Sequence, residues 1–134
     1  MLLTWKNSYS VKVKSFDDAH KDLIALINEI HENMQSEKKM EVVASVLDQL
    51  SNYTEKHFSE EEELMKKNEF PYYDDHAAEH SKFIKEINRL REKFETNSNL
   101  INIQVLYFLK DWLTNHILNT DKKYSGFFNE KGIQ

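Results

Sequence analysis

Four stretches of the sequence carry apolar residues at alternating intervals of three and four positions. This spacing places the apolar side chains on one face of a helix, so each stretch is expected to bury one stripe. Because only short connections separate the stretches, we predict an all-α fold, an antiparallel up-down-up-down four-helix bundle. The predicted helices cover residues 16–34, 40–67, 75–96 and 100–128.

The composition and the first residues favour one helical domain with an N-terminal arm. The chain has 134 residues, with only two glycines and one proline among them. Such a chain forms few turns and one core, so residues 1–134 are predicted to be a single domain. Residues 1–15 lack helical spacing, and the alternation of Val11 and Val13 near Trp5 predicts an extended arm along a bundle of residues 16–128.

Two breaks in the helical pattern have recognisable turn chemistry. The segment NEFPYYDD at 68–75 contains the only proline, and Asp74 or Asp75 is the expected N-cap of the third helix. The segment TNSN at 96–99 is predicted to separate the third and fourth helices.

Charge and hydropathy argue against several classes of partner. The net charge is −5 and the acidic and basic residues are interleaved, which predicts no nucleic-acid binding. No apolar run reaches the roughly 20 residues that span a bilayer, and the first residues do not resemble a signal peptide. The chain has no cysteine, so disulfides and thiolate metal sites are impossible. We therefore expect a cytoplasmic protein with no membrane contact.

Five of the six histidines lie on the predicted apolar stripes, whereas His31 lies at the edge of its stripe and is expected to be structural or partly exposed. A buried polar group without a partner costs about 1–3 kcal/mol, so five of them in one core need a common partner. A metal is the simplest partner for these nitrogens. The five histidines are His20, His57, His76, His80 and His116.

The segment HFSEEEELM at 57–65 contains one inward carboxylate. Glu61 follows His57 by four residues, so the two side chains share a helix face, whereas Glu62 and Glu63 are predicted to point toward water. A second carboxylate, Asp121, lies on the stripe of the fourth helix but five residues after His116. A step of five diverges on a regular helix, so either a π-type bulge or a flexible carboxylate must bring Asp121 back.

Five imidazoles and two carboxylates exceed the four ligands of a zinc ion, so the sequence predicts two metal ions. If both carboxylates and one further oxygen atom bridge the two ions, these bridges and the five imidazoles fill all but one of the coordination positions of two six-coordinate ions. The remaining position is open to a small ligand. Nitrogen and oxygen ligands without sulfur favour iron, with manganese second.

These residues give the chain a resemblance to the hemerythrin family, especially to single-domain bacteriohemerythrins. The matching pieces are Trp5, DDAHKDL at 17–23, HFSEEEELM at 57–65, HAAEHSKF at 76–83 and WLTNHILNTDKKY at 112–124. The resemblance implies two non-heme iron ions bridged by an oxo or hydroxo group and by Glu61 and Asp121. It also implies that His76, His80 and His116 bind one iron and that His20 and His57 bind the other.

Three short pieces depart from the family pattern without removing a ligand. Ala19 stands where the family often has glutamine, VKV at 11–13 replaces the usual VGI, and EFP at 69–71 replaces the usual GYP. These departures change the surroundings of the ligands rather than the ligands themselves.

The resemblance and the open coordination position favour reversible dioxygen binding by a monomer that is not an enzyme. Four apolar residues one step or one turn from His20 and His116 are predicted to wall the dioxygen pocket. Two alternatives stay open: a di-iron enzyme or scavenger of nitric oxide or peroxide, and an oxygen- or iron-sensing module with an unknown protein partner. The predicted pocket residues are Leu23, Trp112, Leu113 and Ile117.

Overall fold

Long helices make up most of the protein. The structure is a computed structural model that describes residues 3–96 and 101–133, apart from the side chains of residues 96, 101, 102 and 117–119. These residues form no β-strand, which confirms the predicted all-α class. A π-helical turn, His116–Asp121, joins α4 directly to α5, so the two make one interrupted fourth helix. The arm predicted to be extended contains one short 3-10 helix, Asn7–Tyr9. The α-helices are α1 Lys14–Glu32, α2 Lys39–Lys67, α3 Tyr73–Thr96, α4 Ile101–Asn115 and α5 Lys122–Glu130.

The helices alternate in direction, as contacts between their ends show. His20 near the start of α1 lies 3.3 Å from His57 near the end of α2, measured between Nε2 atoms. Arg91 near the end of α3 donates to Asp48 near the start of α2 at 2.6 Å. Asp121 then returns the interrupted fourth helix to α1, with its Oδ2 3.0 Å from the His20 Nε2. These contacts confirm the predicted bundle. The predicted TNSN break falls largely on residues 97–99, which lie outside the described residues.

The predicted apolar stripes meet in one core along the bundle axis. Burying a large aliphatic or aromatic side chain stabilises a fold by about 1.5–3 kcal/mol, so this core supplies most of the driving force for folding. No helix in the described residues is both long enough and apolar enough to cross a membrane. Core residues of the four stripes include Leu23, Ile27, Ile30, Val46, Leu50, Phe83, Ile87, Leu90, Val105 and Leu109.

The N-terminal arm packs along the bundle and ends two residues earlier than predicted. Val11 and Val13 are both buried, as their alternation indicated. The side chain of Asn28 pairs with the backbone of Leu3 through two hydrogen bonds of 2.9 and 2.7 Å. The Asp17 carboxylate accepts a 2.8 Å hydrogen bond from the Val11 N–H, which fixes the turn into α1.

The start of α3 corrects the predicted N-cap. The helix begins at Tyr73, so Asp74 and Asp75 lie in its first turn. The N–H of His76 donates to the carbonyl of Tyr72 at 3.0 Å, so the first helical hydrogen bond already spans the proposed cap positions. The two carboxylates instead stabilise the helix N-terminus through its dipole.

Lys12 and Glu69 have left-handed backbone conformations, with φ of 61° and 57°. These are the two positions at which VKV and EFP replace the glycines of the resembled family. Glu69 ends α2 in a Schellman motif, because the N–H of Phe70 donates to the carbonyl of Met65 at 2.9 Å. A left-handed residue with a Cβ atom costs about 1–2 kcal/mol, so both positions carry strain that glycine would avoid.

Candidate metal centre

Seven polar side chains converge in the middle of the bundle, and none is more than 4% exposed. The four-residue repeat places two of them on α2 and two on α3, α1 supplies one, and the π turn supplies one at each end. All seven were predicted as metal ligands, and the fold brings them all together. This seven-residue cluster consists of His20, His57, Glu61, His76, His80, His116 and Asp121.

The larger half of the cluster contains three histidines. The Oδ1 of Asp121 lies 2.7 Å from the Nε2 of His116 and 2.9 Å from the Nε2 of His76. The Nε2 of His80 lies 3.3 Å from the Oε1 of Glu61. Ligand atoms of these five residues all lie within 4.8 Å of one another, a spacing suited to one shared ion.

The smaller half contains two histidines. The Nε2 of His57 lies 3.2 Å from the Oε1 of Glu61, and ligand atoms of His20, His57 and Glu61 form a second group within 4.8 Å. Glu61 belongs to both groups, while Asp121 reaches His20 through Oδ2 and the larger half through Oδ1. This grouping matches the division into three and two histidines that the resemblance implies, although ligation itself stays a prediction.

The π turn is what brings Asp121 back to His116. On a regular helix the five-residue step would rotate the aspartate about 140° away from the histidine. The six-residue turn His116–Asp121 widens the helix locally, and the two side chains meet at 2.7 Å. Of the two arrangements that the sequence allowed, the structure has the bulge.

The cluster has more buried polar atoms than the protein can satisfy by hydrogen bonding. The Oε1 of Glu61, both carboxylate oxygens of Asp121 and both ring nitrogens of His76 are buried without a hydrogen-bond partner. These atoms lie close to one another but not in hydrogen-bonding geometry, which is the arrangement expected of ligands that face a common cation. A donor set of imidazole nitrogen and carboxylate oxygen fits iron or manganese.

Without a cation, the cluster would be held by ion pairs. Burial lowers the pKa of His116, but the charge of the adjacent Asp121 outweighs burial and raises that pKa to about 10. Burial also lowers the pKa of His57, but the charge of Glu61 outweighs burial and raises that pKa above its usual value. Burial favours neutral carboxyls, yet the adjacent histidines hold the pKa values of Glu61 and Asp121 well below their usual range. The carboxylates are therefore anionic and ready to bind a cation.

Two further carboxylates support the larger half from outside. The Oε2 of Glu62 lies 3.2 Å from the Nδ1 of His80, so the prediction that Glu62 points only toward water is wrong. The Oε1 of Glu79 lies 3.5 Å from the Nδ1 of His116, and the hydroxyl of Thr120 donates to both Glu79 oxygens at 2.9 and 2.7 Å. A carboxylate on Nδ1 fixes the ring so that Nε2 presents its lone pair inward. Sequence reasoning missed Glu79 and Thr120, although Glu79 directly precedes His80.

Tyr124 is a further residue whose role the sequence did not reveal, although it lies on the predicted stripe. Its side chain is fully buried, its hydroxyl donates to the Oε2 of Glu61, and its ring stacks on His76 with centroids 5.5 Å apart. Burial, together with the charges of Asp121 and Glu61, raises the pKa of Tyr124 well above its usual value. The phenol therefore stays protonated and orients the carboxylate that both halves share.

Aromatic rings cover the larger half. Phe58 stacks on His80 with ring centroids 3.7 Å apart, and Trp112 stacks on His116 at 4.1 Å. Trp112, predicted to wall the dioxygen position, thus lies against the three-histidine half. The smaller half has two other rings beside His57, those of Tyr53 at 5.1 Å and Phe16 at 5.8 Å.

The other predicted pocket residues are only partly described. Leu23 and Leu113 are buried in the core, whereas the side chain of Ile117 lies outside the described residues. Their role beside dioxygen stays a prediction. His31 is exposed, as expected for a residue outside the cluster.

Known proteins are similar to this chain in sequence and in fold. Residues 11–128 match the family described as Hemerythrin HHE cation binding domain. The chain is 32% identical over 124 residues to a bacteriohemerythrin of Methylococcus capsulatus, which covers 92% of the chain and 94% of that relative. A hemerythrin-like protein of Naegleria gruberi is 32% identical over 122 residues, or 91% of the chain and 90% of that protein.

The solved structures give the same result. The crystal structure of a wild-type hemerythrin superposes with a TM-score of 0.84 and 31% identity, covering 94% of this chain and 97% of that one. The structure of a hemerythrin variant with leucine replaced by tyrosine gives a TM-score of 0.84 and 30% identity, with 93% and 95% of the chains covered.

Proposed function

The chain belongs to the hemerythrin family, and from this premise we propose that it binds dioxygen reversibly at a pair of iron ions. The observation that carries the proposal is the division of the buried cluster into a three-histidine half and a two-histidine half that share carboxylates. The unequal number of imidazoles leaves the smaller half with fewer protein ligands, and therefore with the place for a small exogenous ligand.

The cluster residues would divide the binding of iron between them. His76, His80 and His116 would hold one ion, and His20 and His57 would hold the other. Glu61 and Asp121 lie between the two halves and would bridge them. When bound, the two iron ions would supply the electrons and the open coordination position for dioxygen.

Other residues of the chain hold these ligands and cover those of the larger half. Glu62 and Glu79 accept from the outer ring nitrogens of His80 and His116, and the Tyr124 hydroxyl holds one oxygen of Glu61. Stacked rings of Phe58 and Trp112 seal the larger half. A buried site favours release of an unchanged ligand over irreversible oxidation of the centre.

The composition of the cluster supports binding rather than turnover. Oxygen-activating di-iron bundles typically use four glutamates and paired Glu-x-x-His motifs, and this sequence contains no Glu-x-x-His. Five neutral imidazoles place less negative charge on iron than carboxylates do, which favours the ferrous state. We therefore propose that the protein is an oxygen-binding protein and not an enzyme.

The proposal is tested by loading the metal-free protein with ferrous iron under argon and then admitting dioxygen. We expect two irons per chain and a visible charge-transfer band that appears with oxygen and disappears on removal of the gas. The variant His116→Ala is the control and should lose both the iron and the band. A loaded protein that gives no such band, or that consumes dioxygen steadily with an added reductant, would contradict reversible binding.

A further inference from the structure

The cleft between α1 and α2 leads from the surface to His57 in the two-histidine half of the cluster. Its volume is about 850 Å³, far more than a diatomic gas requires. We infer that this α1–α2 cleft is the route by which divalent cations reach the two-histidine half. The inference rests on the proposed function, because it assumes that the cluster binds metal ions.

The charge of the cleft favours cations. Four acidic residues line it, and the basic residues in its lining are Lys56 at the surface and His57 at the floor. The acidic residues are Asp18, Asp22 and Glu29 of α1 and Glu60 of α2. Asp18 forms an exposed ion pair with Lys14 at 2.9 Å, whereas Asp22 and Glu60 are exposed and present their carboxylates to incoming solutes at the opening. A cleft lined by one sign of charge focuses the electric field and raises the local concentration of the opposite ion. A neutral gas gains nothing from this arrangement.

The floor of the cleft carries polar atoms that lack a partner. His57, which lines the cleft, is 4% exposed, and its Nδ1 is buried without a hydrogen bond. The hydroxyl of Tyr53, also in the lining, is buried and unpartnered as well. The Nε2 of the same His57 belongs to the two-histidine group, so the cleft ends at a predicted metal ligand.

A small residue keeps the inner part of the cleft open. Ala19 lines it next to His20, at a position where the resembled family often has glutamine. A glutamine side chain there would extend into the space that the methyl group leaves free.

The larger half is closed by comparison. Phe58 and Trp112 stack on His80 and His116, and Glu62 and Glu79 occupy the outer nitrogens of the same two rings. Neither histidine of the smaller half has such a partner at Nδ1, whereas two of the three histidines of the larger half do. An ion in the two-histidine half is thus less enclosed and is expected to be the one that enters and leaves through the α1–α2 cleft.

The test measures the rate of metal uptake by the metal-free protein. Cobalt(II) is mixed rapidly with the wild-type chain and with the double variant Asp22→Asn, Glu60→Gln, and uptake is followed by cobalt absorption. A matched control, Glu55→Gln with Asp111→Asn, removes the same charge from exposed positions outside the cleft. We expect the cleft variant to load roughly five-fold more slowly at low ionic strength, with the difference vanishing at high salt. The control should load at the wild-type rate, and all three proteins should bind the same final amount of cobalt.

A second variant tests the path by size instead of charge. Ala25 lies exposed in the lining of the cleft, so Ala25→Phe should also slow cobalt uptake without changing the final content. Equal uptake rates for the wild type, the charge variant and Ala25→Phe would overturn the inference while leaving the proposed function intact. So would a cleft variant whose only defect is slower dioxygen binding, since that makes the cleft a gas route. Failure of the wild-type protein to bind any cobalt or iron would instead overturn the proposed function.

Discussion

The carboxylate of Asp121 lies 2.7 Å from the imidazole of His116, although five positions separate the two residues in the chain. The π turn between them takes up one residue more than a regular helical turn. The helix is thereby returned to register, so α5 can still bury Tyr124 and Phe128. The bulge thus serves both the metal centre and the core beyond it.

The first prediction concerns the length of this turn. Deleting Asn119 would leave the aspartate four positions after His116, which a regular α-helix places on the same face. We expect the shortened protein to fold and to retain its metal. Deleting Thr114 instead, one turn earlier, would rotate His116 by about 100° from the α3 histidines and abolish metal binding. Iron content per chain after reconstitution distinguishes the two, and loss of iron from the folded Asn119 deletion would show that the π geometry itself is required.

The second prediction concerns the outer carboxylates. Glu79→Ala should weaken metal binding because the His116 ring loses the acceptor that orients it, and Glu62→Ala should act likewise through His80. Removing such a partner costs about 10–100-fold in metal affinity, and the partial exposure of Glu79 favours the lower end. Competition with a chelator measures the effect. Glu63 is an exposed residue of the same glutamate run, so the Glu63→Ala variant should bind metal like the wild type. Equal metal affinity in the wild type and all three variants would contradict the supporting role of Glu62 and Glu79.

The third prediction concerns pH. In the metal-free protein the pKa of His116 is raised from 6.5 to about 10, so the ring carries a proton at neutral pH. Its ion pair with Asp121 stabilises the metal-free fold fully below pH 6.5, and this contribution is lost as the pH rises through about 10. A metal ion must displace that proton, so its apparent affinity should increase with pH up to about 10. Calorimetry of cobalt binding at neutral pH in buffers with different ionisation enthalpies should detect proton release, and its absence would contradict the raised pKa.

The fourth prediction concerns the left-handed residues. Glu69→Gly should raise the free energy of unfolding by roughly 0.5–1 kcal/mol, because glycine adopts this conformation without strain but is more flexible when unfolded. Lys12→Gly should act in the same direction. Gly132, which has φ of 81° at the end of α5, provides the opposite test, since Gly132→Ala should destabilise the protein by about 1 kcal/mol. Urea denaturation of the metal-free chains measures all three, and a destabilising Glu69→Gly would refute the assigned strain.

Local periodicity explains why so much of the centre was accessible from the sequence. His57 with Glu61 and His76 with His80 share helix faces because four residues nearly complete one turn, whatever the rest of the fold does. Because these faces coincide with the apolar stripes of the helices, their polar side chains are buried in the core. The all-α class and six of the seven members of the cluster follow from this regularity. The directions of the helices follow from the short connections instead, and Asp121 joins the cluster only because the π turn interrupts the regular helix.

Contacts between helices could not be obtained in this way. The angle of Glu62 on α2 suggested solvent, but α3 places the Nδ1 of His80 3.2 Å from its carboxylate. Trp112 lies one turn from His116, yet packing decides that it stacks on the three-histidine half. The support that Glu79 receives from Thr120 likewise joins two different helices.

The amino-acid order alone therefore determined which side chains enter the interior and which helix carries each of them, because helical repeat and hydrophobicity act over a few neighbouring residues. Only the tertiary structure showed that a π turn, and not a flexible carboxylate, brings Asp121 to His116. It also determined the partners of the outer ring nitrogens and the open cleft between α1 and α2. Those features depend on how distant segments approach one another, and small rotations and shifts of packed helices set such approaches.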